Sequence, residues 1–300
     1  MMIYHKAALI KEAIEGLNIN PDGYYVDATF GGGGHSRTIL TYLSQKGRLV
    51  AFDQDKDAAQ NIIEDKRFLL VQNNFRYLKN FLKYFDIKEI DGIIADLGIS
   101  SHQIDEASRG FSFRNIGKLD MRMNKNNKKT AEYIINQYDE ENLIYIFKNY
   151  GELPNSKQIV NSVIRRRKEK PINTSEELIE TIKSFIPRNF ENKFLAQVFQ
   201  ALRIEVNDEL NSLKDLLLQS TEVLKTGGRL VVISYHSLED RLVKNFIKSG
   251  NFEGNINKDI FGNTIKPLKA INKNVITPTE EDISENKRIR SAKLRIAEKI

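Results

Sequence analysis

The chain has 300 residues, 40% apolar and 29% charged, long enough for one large domain with an insertion or for two domains sharing a cleft. It contains no cysteine, which excludes disulfides, thiolate zinc sites, iron-sulfur clusters and any thiol nucleophile. The excess of 46 Lys plus Arg over 40 Asp plus Glu gives a net charge of +6, which admits nucleic acid as a partner; with no membrane-length apolar run and no signal-peptide start, a soluble cytoplasmic protein is expected.

In the first hundred residues, strands expected at Tyr24 to Phe30, Arg48 to Asp55, Phe68 to Asn73 and Asp91 to Leu97 alternate with helical patterns at Ser36 to Gln45, Asp57 to Glu64 and Phe75 to Phe85. That rhythm is one of short right-handed crossovers building a parallel sheet. From Ala107 to Gln200 the chain turns polar, Asn/Lys-rich and helical in period, broken at Pro154, Pro171 and Pro187. A helix (Asp208 to Leu224), a strand (Arg229 to Tyr235) and a helix (Leu238 to Lys248) then resume the alternation; 250–285 reads as loop, and Ala292 to Ala297 as a last short strand. The expected fold is α/β, with a sheet domain from 1–106 and 201–300 and an inserted helical domain at 107–200. Basic residues cluster at Lys125, Lys128 and Lys129, at Arg165 to Lys170 and at Lys287 to Lys299, as solvated helix faces or phosphate contacts.

In a parallel sheet ligands bind beyond the carboxyl ends of the strands, and the chemistry-bearing residues fall there. Four glycines, Gly31 to Gly34, end the first strand within DATFGGGGHS; Asp53 ends the second, Asn73-Asn74-Phe75 follow the third, Asp96-Leu97-Gly98 end the fourth, and Ser234-Tyr235-His236 end the fifth. Glycine leaves main-chain amides open to a ligand. Ser36 or Arg37 stands where a dinucleotide-binding loop has its third glycine, and no Gly-Lys-Ser/Thr follows, which disfavours a dinucleotide or a triphosphate. Asp53 is spaced to bind ribose hydroxyls, with an adenosine against Phe75, or alternatively caps a helix. His35, His102 and His236 each follow a strand and are expected to face one cleft, without a carboxylate spacing that makes a metal site. Asp96, with Ser100, Ser101 and Gln103 on the next turn, is placed to accept a hydrogen bond from an amine, or to cap its own turn.

The stretches DATFGGGGHS, AFDQD, ADLGISSHQID, RGFSFR, LDMRM, FQALRIEVNDEL, LKTGGRLVVISYHSLEDR and RSAKLRIAEK, in order along nearly the whole chain, resemble the small-subunit ribosomal RNA methyltransferase H family, also called MraW. The resemblance implies a class I methyltransferase fold and S-adenosyl-L-methionine as cofactor, held at Gly33, Gly34, His35, Asp53, Phe75, Asp96 and Gln103. It further implies methylation of the exocyclic N4 of a cytidine in the decoding region of 16S ribosomal RNA, with the insertion recognising RNA. Small-subunit RNA is the expected partner, and a homodimer is among the assemblies left open. The chain departs from the family's usual residues at His102, at Leu153 and over Lys193 to Gln197; the last two lie in the insertion and leave the cofactor motifs untouched.

On this reading Asp96 is the catalytic residue. Tyr235 and Phe111 or Phe113 are candidates to stack on an unstacked base, and Arg109, Arg114, His236 and the 165–170 cluster to contact the RNA. The absence of cysteine removes methylation at pyrimidine C5 through a thiolate and radical methylation, leaving direct transfer to nitrogen or oxygen. A nicotinamide-dependent oxidoreductase and a non-catalytic RNA-binding assembly factor are the rival classes.

Overall fold

The computed structural model describes residues 7–300. The chain forms two compact units, one from residues through Gly98 together with Leu210–Ile300, the other Ile99–Glu209. The second unit is wider than the 107–200 insertion expected, because helix-forming sequence extends past both of those limits into its core.

Among the described residues, the first unit holds one sheet of seven strands: β1 (Tyr24–Asp27), β2 (Arg48–Phe52), β3 (Phe68–Val71), β4 (Ile90–Asp96), β5 (Leu224–Ser234), β6 (Leu268–Ala270) and β7 (Lys293–Lys299). Their order is β3-β2-β1-β4-β5-β7-β6, with β1 to β5 parallel and β7 antiparallel to both its neighbours. Alternate residues of each strand point to opposite faces. Val26, Val50, Ile93 and Val232 join one apolar layer, while Tyr25, Leu49, Ile94 and Val231 join the other. The unit's helices are α1 (Ile10–Leu17), α2 (Gly34–Tyr42), α3 (Leu78–Tyr84), α10 (Glu209–Val223), α11 (Ser237–Ser249) and α12 (Glu280–Glu285). α1 and α2 contribute to the second layer, and α3, α10 and α11 to the first, so the sheet is covered on both sides.

Two expected elements come out differently. The segment 57–64 forms only a 3-10 turn, Lys56–Asn61, capped by the Asp55 side chain and ended by the β-branched pair Ile62-Ile63. The segment 250–285, read as loop, contributes edge strand β6, and β7 enters between β5 and β6. The chain runs outward from β1 to β3 and returns to the far side of β1 as β4, which places the switch in strand order between β1 and β4. Immediately beyond it, Ala28 N–H donates to the Ile94 carbonyl (2.8 Å) and Phe30 N–H to the Phe52 carbonyl (2.8 Å), holding the chain that leaves β1 across both neighbours. The parallel-rich sheet covered by helices on both sides agrees with the α/β fold expected from the sequence.

The second unit contains α4 (Ser101–Asp105), α5 (Ala131–Gln137), α6 (Glu140–Asn149), α7 (Ser156–Glu169), α8 (Ser175–Ile182) and α9 (Glu191–Asn207). Its core includes Leu143, Phe147, Ile159, Leu178, Val198 and Leu202. Thr130, Asp139 and Thr174 cap α5, α6 and α8 with their side chains, satisfying amides that a helix start leaves unpaired. No helix among the described residues is long and apolar enough to cross a membrane.

Candidate functional site

The end of β1 is anchored by a buried acid. Asp27 accepts the Thr29 N–H on Oδ1 (3.0 Å) and the Ser36 hydroxyl on Oδ2 (2.6 Å), which fastens the glycine turn to the first turn of α2. Gly33 has φ of 78°, a left-handed conformation that costs other residues energy, and a Cβ there would lie 3.0 and 3.1 Å from the Phe30 ring. A Cβ on Gly34 would lie 2.8 Å from the Cβ of Ala7. α2 begins at Gly34 without a side-chain cap, so its first-turn amides, at the positive end of the helix dipole, are available to an anionic group.

Two further carboxylates stand at the neighbouring strand ends. Asp53, after β2, accepts the Gly31 N–H on Oδ2 (2.8 Å) and the Asp55 N–H on Oδ1 (2.8 Å). Burial pushes its carboxyl up to about 6, against the pull of those two amides. Asp96, at the end of β4, donates its own N–H to Thr29 Oγ1 (2.6 Å), which holds it to the β1 turn. Its Oδ1 accepts the Tyr235 hydroxyl (2.8 Å) and its Oδ2 lies 3.9 Å from His35 Nδ1. Burial pushes Asp96 up to about 6 as well, while His35 and the Tyr235 hydroxyl pull the other way. The side chain nevertheless keeps 20% of its surface open, enough to meet a ligand. Asp27 is also shifted upward by burial, and its charge disfavours ionisation of both Asp53 and Asp96. The three acids therefore form a site that a cationic ligand would relieve.

His35 is buried, and its Nε2 lies 3.0 Å from the Ala8 carbonyl; because a carbonyl only accepts, Nε2 carries the hydrogen and Nδ1 faces Asp96. Tyr235, desolvated and beside Asp96, is shifted far upward and stays a neutral phenol, the donor in that bond. Tyr235, expected to stack on a base, is half-buried and donates its hydroxyl to Asp96, so its side chain also positions the acid. His236 caps α11, with Nδ1 accepting the Glu239 N–H (3.4 Å) while Glu239 Oε2 accepts the N–H groups of Tyr235 (3.0 Å) and His236 (3.4 Å). His236 thus shapes the β5–α11 turn rather than projecting toward a substrate. Asn74 ties the loop after β3 to the loop after β2 through Gln54 Oε1 (3.1 Å), which sets half-buried Phe75 next to the Asp53 loop.

A family model described as the MraW methylase family matches residues 2–300. The chain belongs to the MraW methylase family. It is 56% identical over 296 residues to a protein of Bacteroides fragilis, covering 99% of this chain and 97% of that one. It is 55% identical over 298 residues to a protein of Bacteroides thetaiotaomicron (99% and 98% covered) and 53% identical over 300 residues to one of Christiangramia forsetii (100% and 99% covered). All three relatives are named ribosomal RNA small subunit methyltransferase H.

The remaining expected residues of this MraW methylase lie in its second unit. Gln103, on α4 with His102, accepts the Ser100 N–H on Oε1 (3.0 Å) and donates its own N–H to Ser100 Oγ (3.2 Å), a reciprocal helix cap that holds the start of α4. Arg114 is exposed, its guanidinium 5.8 Å from the centre of the Phe113 ring. Arg109, expected on phosphate, is buried and donates to the carbonyls of Arg122 (2.9 Å) and Met123 (3.3 Å). Phe111, expected to stack on a base, is a core residue, and Phe113 packs edge-on against Phe199 with centroids 5.9 Å apart. In the 165–170 cluster, Arg167 donates to the carbonyls of Ile135 and Tyr138 (2.7 Å each) and Lys170 pairs with Glu177 (2.9 Å), whereas Arg165 and Lys168 are exposed. Arg109 and Arg167 are structural because they satisfy main-chain carbonyls distant along the chain, and Phe111 and Phe113 because their rings pack in the apolar core. Sequence reasoning passed over Asp27, Thr29, Ser36 and Glu239 as site-builders; the His-x-x-Glu spacing at 236–239 was the available signal for the last.

Proposed function

We propose that this methylase transfers a methyl group from S-adenosyl-L-methionine to the N4 of a cytidine in the decoding region of 16S ribosomal RNA, in the cytoplasm, with the small subunit as substrate. What carries the reading is Asp96, an acceptor-only carboxylate fixed at the switch point beside the glycine turn and two other acids. The residues fit the cofactor. Gly33 and Gly34 hold a close-packed turn without side chains over its amides, the first-turn amides of α2 suit a carboxylate, Asp53 suits ribose hydroxyls beside Phe75, and the acids complement a positive charge. The missing third glycine of a dinucleotide loop argues against a nicotinamide occupant.

Bound S-adenosyl-L-methionine supplies an electrophilic methyl group on a sulfonium. The N4 lone pair of cytosine is delocalised into its ring, so the protein must localise it. Asp96 accepts an N4–H, raises electron density on the nitrogen and takes the proton shed as the nitrogen–carbon bond forms. The Tyr235 hydroxyl holds one carboxylate oxygen, leaving Oδ2 directed elsewhere. Arg114, Arg165 and Lys168 are the exposed cations of the second unit assigned to phosphates.

Mass spectrometry of small-subunit nucleosides from cells lacking this protein should show N4-methylated cytidine lost, and purified protein should restore it on subunits from those cells; an unchanged nucleoside profile would sink the assignment. Gly33→Ala should weaken binding of S-adenosylmethionine roughly tenfold or more and cost about 1–2 kcal/mol of stability, from the left-handed backbone and the Phe30 contact. Calorimetry and thermal melting check the two effects. Replacing Arg114, Arg165 and Lys168 together by glutamine should flatten the salt dependence of RNA binding by about 2 in log–log slope, roughly 0.7 per phosphate contact on single-stranded RNA; an unchanged slope would return them to ordinary surface residues.

A further inference from the structure

Between α11 and β6 the chain forms a hairpin at the sheet edge opposite the glycine turn. α11 starts beside the C-terminal end of β5, and β6, antiparallel to β7, runs in the same direction as β5, so their connection lies at the other end of the strands. Ile265 N–H donates to the Asn257 carbonyl (2.8 Å), Asp259 N–H to the Asn263 carbonyl (2.9 Å) and Gly262 N–H to the Asp259 carbonyl (3.1 Å). Asp259 Oδ1 accepts the N–H groups of Phe261 and Asn263 (2.9 Å each). The tip is thus a defined turn, and it displays apolar side chains to solvent: Ile260 is 94% and Phe261 82% exposed.

On the segment between α11 and β6, Lys258 and Lys266 flank the turn and form no ion pair among the described residues; of its two acids, Glu253 is exposed and the carboxylate of Asp259 is occupied by the amides of its own turn. A pre-ordered, exposed aromatic ring carries little ordering cost on binding and offers a face to any unpaired base, and unpartnered lysines beside it suit phosphates.

We propose that this hairpin is a second RNA contact, in which Phe261 stacks on an unpaired base of the ribosomal RNA and the flanking lysines hold phosphates, remote from the nucleotide that is methylated. It rests on the ribosomal RNA reading above and adds an anchoring site to it. The lysines would face no complement in an apolar protein pocket, which is why RNA is the occupant chosen.

A benzophenone side chain placed at position 261 and irradiated with unmethylated small subunits should crosslink to ribosomal RNA; crosslinks only to a ribosomal protein or to a second copy of this chain, or none at all, would overturn the proposal. Ile260→Ser combined with Phe261→Ser should raise KM for subunits about tenfold with kcat and the affinity for S-adenosylmethionine unchanged, and an unchanged KM would also overturn it. Crosslinking needs no methyl transfer, so RNA adducts without methylation by the native chain would leave the hairpin contact standing and remove the proposed reaction instead.

Discussion

Asp96→Ala is expected to slow single-turnover methyl transfer by roughly 100- to 10,000-fold, the range over which a positioned proton acceptor and a fixed electrostatic partner contribute to a chemical step. Near-normal turnover in that variant would end the assignment. Tyr235→Phe keeps the ring and removes only the donor to Asp96 Oδ1, and a hydrogen bond to a charged group is worth about 1.5–3 kcal/mol, so a loss of about 10- to 100-fold should follow. The pH profile separates positioning from packing. Transfer by the native enzyme should rise with pH through about 6 as Asp96 ionises. Because the tyrosine hydroxyl stabilises the ionised carboxylate, its removal raises the Asp96 pKa, and the acid limb of the profile should move to higher pH. A profile that keeps its position while the rate falls would mean that the hydroxyl acts only through packing.

The second large effect concerns cofactor binding. Asp53 and Asp96 are each pushed up to about 6, and Asp27 is raised with them, so in the folded chain all three bind protons more tightly than in the unfolded one. A positively charged ligand prefers the ionised acids, and protons compete with it as pH falls through about 6. The affinity for S-adenosylmethionine should therefore drop on acidification more steeply than that for S-adenosylhomocysteine, which differs only in lacking the S-methyl group and with it the sulfonium charge. Parallel pH dependences for the two ligands would rule out a role for the acids in recognising charge. The stability linkage has a matching sign: raised carboxyl pKa values cost the ligand-free fold stability as pH rises from about 4 to above 6, so the cofactor should increase Tm more at pH 8 than at pH 5.5. Asp53→Ala should weaken cofactor binding by about 10- to 100-fold, the effect of losing one or two hydrogen bonds to a charged group. Because Asp53 accepts the Gly31 and Asp55 amides on different oxygens, Asp53→Asn keeps only one of these bonds and sets its NH2 against the other N–H, so it should lose less than Asp53→Ala without restoring the native turn.

By itself the sequence determined the strand ends and what stands on them. Apolar runs such as Ile93-Ile94-Ala95 before Asp96, and the glycines after Asp27, are local patterns, and a parallel sheet gathers whatever follows its strands at one edge. The lack of cysteine narrowed the chemistry without any fold at all. Only the tertiary structure decided partners distant along the chain. Tyr235 meets Asp96 across 139 residues because β4 and β5 pair side by side, and β7 lies between β5 and β6 although it is last in the sequence. Arg109 reads as a phosphate contact until the chain at Arg122 and Met123 folds over it and supplies its acceptors. Whether a charged or aromatic side chain faces solvent depends on which distant carbonyl or carboxylate packs against it, and periodicity along one segment carries no record of that.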